Sequence, residues 1–217
     1  MRRKQSPAAA RGESGFTLIE LAIVLGILSL VMAIFLPTLY AVQRGFDRQS
    51  DRSQSNDNAR LAAEELDREI RSGNVLYNPG SESDPANQIY PGMSLRIYTQ
   101  TNANIRNPGF QCVQWRVASG QLQRRSWSTT WRSDGNVTAW RIVAEHVVNQ
   151  PNPPSPPVTP AFQLDPDPNK GGRTVIVTLM VNQNAASGRT VTIQESITGR
   201  NTEYGYPNNV CTDIPPY

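Results

Sequence analysis

The chain has 217 residues, 38% of them hydrophobic, which is enough for one compact domain plus an appendage and too little for two domains with separate large cores. Its formal net charge of +3 invites a nucleic-acid reading, but the whole excess sits in the first fifteen residues, where Arg2, Arg3, Lys4 and Arg11 oppose only Glu13. The remainder is formally neutral, so the basicity concerns topology: a positive tip before an apolar segment holds the N-terminus on the cytoplasmic side of a membrane.

From Leu21 to Leu36 the chain reads LAIVLGILSLVMAIFL, and apolar character resumes after Pro37 through Leu39, Tyr40, Ala41 and Val42. Phe16 to Val42 is 27 residues long, where about 20 suffice to cross a bilayer. Leu36-Pro37-Thr38 has none of the small residues of a signal-peptidase site, so the segment is read as retained. From Gln43 to Arg71 the chain is polar, with Gly45 as its single helix breaker. Ala59, Ala62, Ala63, Leu66 and Ile70 draw one apolar stripe at three- and four-residue spacing, which predicts that the helix continues and docks against a head. Gly73 and the Asn78-Pro79-Gly80 turn end it.

The Pro-, Gly-, Ser- and Asn-rich stretch 78–92 reads as loop. Alternating runs then predict strands at Met93–Tyr98, Cys112–Val117, Leu122–Trp127, Ala139–Val148, Thr174–Val181 and Thr190–Ile197, with a tight hairpin turn at Ser119-Gly120. The run PNPPSPPVTP at 151–160 cannot be a central strand, because proline gives up the ladder donor, and is read as a surface crossover. The expected fold class is α+β, a long N-terminal helix packed on an antiparallel sheet.

Cys112 and Cys211 lie 99 positions apart, a spacing that matches no metal knuckle. An exported head favours a disulfide; two buried free thiols are the alternative. Aromatic and basic residues interleave at Trp115-Arg116, Arg124-Arg125, Trp127, Trp131-Arg132 and Trp140-Arg141, either a face that could stack and neutralise a DNA strand or simple strand alternation, tryptophans inward and arginines outward. Asp165, Asp167 and Asn169 offer oxygen ligands without a twelve-residue calcium loop, and are read as solvated turn residues. His146 is the single histidine. With no nucleophile elbow, phosphate-cradling glycine loop or paired metal motif, no catalytic residue, metal or cofactor is expected, and the chain reads as an enzyme's substrate, not an enzyme.

The string Gly15-Phe16-Thr17-Leu18-Ile19-Glu20 opens the apolar helix. It resembles the class III signal of type IV prepilins and type II secretion pseudopilins. The resemblance implies that a prepilin peptidase cuts between Gly15 and Phe16 and methylates the new N-terminus at Phe16. It also implies that Glu20, costing about 2.5 to 3.5 kcal/mol within a membrane helix, pairs in the filament with the Phe16 ammonium of a neighbouring subunit. Pro37 corresponds to the helix-kinking proline that pilins of this family commonly carry, or it marks the helix end at the membrane boundary; Ser29 stands where many members have glycine. The head resembles minor pilins of the PilW and GspJ kind in outline.

On this reading, 1–15 is a cleaved cytoplasmic leader, 16–42 the transmembrane or filament-core helix, 43–73 its amphipathic continuation and 74–217 a β-rich head in the periplasm or outside the cell. The partners are the prepilin peptidase, other pilin subunits and the inner membrane, and the function is structural, in a pilus or a secretion pseudopilus. The rivals are a DNA-binding minor pilin of a competence pilus and a single-pass anchored periplasmic binding protein.

Overall fold

The computed structural model describes residues 17–84, 89–100, 109–150, 159–167, 169, 172–184, 190–199 and 209–216. The chain divides into two compact units, Met1–Asp47 and Arg48–Tyr217. Helix α1, Leu18–Ser72, contributes to both.

The first unit consists, in its described residues, of α1 alone. Pro37 lies inside the helix, which runs through it without a break, so Pro37 is not a helix end. Proline removes one i to i−4 backbone bond. Beside it, the Thr38 hydroxyl donates to the Ile34 carbonyl at 2.9 Å, and Ser29 does the same to Leu25 at 2.7 Å. Both hydroxyls are thereby satisfied within an apolar helix.

In the second unit the predicted stripe is buried, with Ser55 added: Ala59, Ala62, Ala63, Leu66 and Ile70 all face inward. Small residues along most of that stripe let sheets approach the helix closely. Five strands form one antiparallel sheet in sequence order: β1 Gly73–Leu76, β2 Ser94–Gln100, β3 Phe110–Ala118, β4 Gln121–Ser128 and β5 Arg141–Ala144. Three more, β6 Phe162–Leu164, β7 Thr174–Val181 and β8 Val191–Thr198, form a second. Leu66 and Ile70 share one core with Leu95, Ile97, Val113 and Trp115 of the first sheet and with Val175, Val177 and Leu179 of the second. Each such fully buried large side chain contributes about 1.5 to 3 kcal/mol.

Two positions explain how the chain leaves α1. Gly73 enters β1 directly and not through a left-handed cap; a Cβ there would meet Ile97 Cγ2 at 2.7 Å and the Ile70 carbonyl at 3.1 Å. The β3–β4 hairpin turns through Ser119 and Gly120, both at positive φ (50° and 73°), the backbone of a type I′ turn whose twist matches its strands.

The expected strand Ala139–Val148 is shorter than its pattern suggested. β5 ends at Ala144, and His146 adopts a left-handed φ of 59° that turns the chain out of the sheet. Val147 then bridges Val181, and Val148 N–H donates to the Met180 carbonyl at 2.8 Å, so this segment joins β7 instead of prolonging β5.

Candidate processing and assembly site

Gly15 and Phe16 lie outside the described residues. The described chain opens with Thr17, whose side-chain oxygen accepts from the Glu20 backbone N–H at 3.3 Å while its carbonyl accepts from Leu21 N–H at 3.1 Å. Thr17 is therefore the N-cap of α1. Glu20 stands in the first turn, where a carboxylate also meets the positive end of the helix dipole. The pattern Thr-x-x-Glu before an apolar run was in the sequence and is the signal for this cap.

From Leu18 to Phe46 the helix presents its apolar side chains to its surroundings: Leu18 is 89% exposed, Ile27 60% and Phe46 71%. Patches above a few hundred Å² on soluble proteins mark interfaces, and an entire helix segment with no buried residue requires a continuous cover of lipid or other helices. It is long and apolar enough to cross a membrane.

The cysteine question is closed by the fold. Cys112 on β3 and Cys211 form a disulfide, with 1.98 Å between sulfurs and 5.7 Å between Cα atoms. It pins residues 209–216 as a strap over the face of the first sheet opposite α1. Tyr98, Cys112, Trp127 and Cys211 form a second small core there. Arg96 donates to the Cys211 carbonyl, stands over the Tyr77 ring at 4.3 Å and pairs with buried Glu82. Burial pushes the Glu82 carboxyl above the ordinary carboxylate range, and the Arg96 guanidinium offsets part of that rise. Arg125 donates to the carbonyls of Pro215 and Pro216, each at 2.9 Å.

The interleaved tryptophans and arginines divide between the two faces differently from the simple inward–outward reading. Trp115 faces the α1 core, but Trp127 lies under the strap. Arg124 reaches α1, donating to Glu69, whose carboxylate holds the guanidinium above its ordinary value, and Arg141 pairs with Glu65 one turn earlier. Arg125 is buried, Arg116 lies over the Trp140 ring at 3.8 Å, and Arg132 pairs with Asp213. All five arginines are engaged within the fold, so neutralising Arg124 and Arg125 would loosen the head itself. Asp165 Oδ1 accepts from Asp167 N–H at 3.0 Å and Asp167 Oδ1 from Asn169 N–H at 3.0 Å, so these oxygens cap turns; His146 is exposed. Among the described residues no three His, Cys, Asp or Glu side chains gather as a metal site.

Residues 10–36 match the family described as the prokaryotic N-terminal methylation motif, and the rest of the chain lies outside that match. No curated protein matches the chain. The match covers Arg11, the Gly15–Glu20 string and the apolar helix as far as Leu36, and it supports a pilin-type subunit, processed at its N-terminus by a prepilin peptidase and anchored in a membrane through α1.

Proposed function

We propose that this chain is a minor pilin or pseudopilin, a structural subunit that enters a type IV pilus or a type II secretion-like filament through its N-terminal helix. The observation that carries the reading is the coincidence of the methylation motif at 10–36 with a helix whose apolar side chains are exposed among the described residues. Cleavage falls between Gly15 and Phe16, and Phe16 becomes the methylated N-terminus. The leader 1–15 stays in the cytoplasm, 16–42 occupies the inner membrane and then the filament core, 43–73 continues as the docking helix, and 74–217 is the head on the periplasmic or outer side.

Glu20 serves two purposes on this reading. Within its own subunit it occupies the first turn of α1. Between subunits its carboxylate meets the Phe16 ammonium of a neighbour, a pair strengthened by the low dielectric of a filament core, which sets axial register. Pro37, with one backbone bond missing, is where the helix accommodates packing in the filament.

Intact-mass and N-terminal peptide analysis of the full chain, expressed with and without a prepilin peptidase, tests this directly. A peptidase-dependent start at methylated Phe16 is expected. A chain that still begins in the basic leader despite active peptidase would sink the proposal and leave a plain membrane anchor.

A further inference from the structure

The second unit carries a polar groove that the assembly reading does not use. It lies between α1 and the start of β8, encloses about 800 Å³, and is lined by Gln49, Arg52, Ser53, Asn56, Thr190 and Thr192 among others. These side chains supply a guanidinium, two amides and three hydroxyls, with no carboxylate lining the groove among the described residues. Arg52 and its neighbour Arg48, one helical turn before it, have no acidic partner among the described residues. Asp51, between the two arginines in sequence, accepts from the Asn184 side-chain amide at 3.1 Å. Ser55 is likewise occupied, accepting from Gln183 N–H at 3.0 Å. A smaller cavity, lined by Arg48, Asp51 and Arg52 among others, shares Arg52 with the groove; beside it, the buried Gln183 Oε1 has no donor among the described residues.

A concave site with a guanidinium that forms no ion pair among the described residues, surrounded by hydrogen-bonding groups, fits a phosphate ester that also carries hydroxyls. Guanidinium binds phosphate oxygens through paired N–H donors, while amide and hydroxyl groups hold a polyol. Placement along the chain selects the source. Arg48 and Arg52 follow Phe46, the last large apolar residue of the exposed run, by two and six residues. Basic residues immediately beyond a membrane segment lie within reach of lipid headgroups, where an anionic phosphate attracts them through charge.

We infer that this groove holds the headgroup of an anionic, hydroxyl-bearing phospholipid of the phosphatidylglycerol type, with Arg52 and Arg48 on the phosphate. The inference rests on membrane insertion of α1 and is independent of N-terminal processing, so it can be tested on the unprocessed chain.

Full-length protein in a neutral detergent is titrated with dihexanoyl phosphatidylglycerol, dihexanoyl phosphatidylcholine and glycerol 3-phosphate, with binding read by calorimetry. Saturable binding of phosphatidylglycerol is expected, weakened at least tenfold in the Arg48→Gln/Arg52→Gln variant and falling with added salt. Arg60→Gln, at an exposed position whose guanidinium already pairs with Glu64, should bind as the unaltered protein does. Equal binding of the choline lipid, tighter binding of glycerol 3-phosphate, equal loss in Arg60→Gln, or no saturable lipid binding would each overturn the inference. Unchanged circular dichroism and melting of the double variant establish that a loss of binding is not a loss of fold.

Discussion

At the scale of single residues, charge in unusual places carries most of the information. Glu20 is a carboxylate at the mouth of a membrane-length helix, and the Thr17 cap bonds its backbone N–H, not its side chain. Glu20→Gln therefore keeps the cap. Helix content and peptidase cleavage should stay unchanged while incorporation into filaments falls at least tenfold, measured by the fraction of subunit in sheared filaments. Full incorporation of the variant would remove Glu20 from the assembly mechanism. Glu82 makes a different prediction. Its carboxyl is raised above the ordinary range by burial, with Arg96 offsetting only part of the rise, so the folded chain binds that proton more tightly than the unfolded chain. The resulting stability is complete below the ordinary carboxylate value and is lost as pH rises through the raised one. In denaturant titrations followed by tryptophan fluorescence, the unaltered protein should lose stability relative to Glu82→Gln across that window. A difference that is flat with pH, or that moves in the opposite direction, contradicts the assignment.

At the scale of elements, close approach decides what packs where. Gly199, just past β8, sits so near the end of α1 that a Cβ would meet Leu76 Cδ1 at 2.9 Å and the Ile70 carbonyl at 3.2 Å. Leu76 can shift, whereas the carbonyl is fixed by α1. Gly199→Ala should accordingly cost about 1 to 3 kcal/mol, visible as a lower denaturation midpoint with an unchanged slope. The same packing shows why some elements were legible in sequence and others were not. The α1 stripe announces itself because it buries one face and leaves the other polar, and β7 because it is an almost unbroken apolar and β-branched run. β1 and β6, four and three residues long, are too short for any period to emerge. β3 and β4 bury both faces, one against α1 and one under the strap, so alternation located the strands but could not say which arginine faced which way. Ala139–Val148 misled for another reason: its apolar positions are genuine, but they serve two sheets, divided by a left-handed turn at His146 that a histidine does not advertise.

For the whole molecule, what was legible at the N-terminus and what was hidden in the head have the same physical origin. The motif, the apolar length and the Glu are local in sequence, so a short window contains them. The head is held by contacts between distant residues: α1 is tied to the first sheet by Glu65–Arg141 and Glu69–Arg124, and the C-terminal strap returns to that sheet's other face through Cys211, Arg96 and Arg125. The cysteine pair closes a separation of 99 residues, which on the chain-entropy model contributes about 4 to 5 kcal/mol by restricting the unfolded chain. Its removal acts chiefly on the unfolded state, while Arg96, Arg125 and Tyr77 still hold the strap in the folded one. The Cys112→Ser/Cys211→Ser chain should therefore fold with the same circular dichroism and near-native tryptophan emission, yet unfold at a markedly lower denaturant midpoint. The unaltered protein should show the same loss under reductant. Arg125→Ala, with the disulfide intact, should instead loosen the Pro215–Pro216 end in the folded state and raise hydrogen exchange around Trp127 well before global unfolding. If the serine variant shows that local exchange and keeps its midpoint, the disulfide acts as a clasp on the native strap and not as a restraint on the unfolded chain.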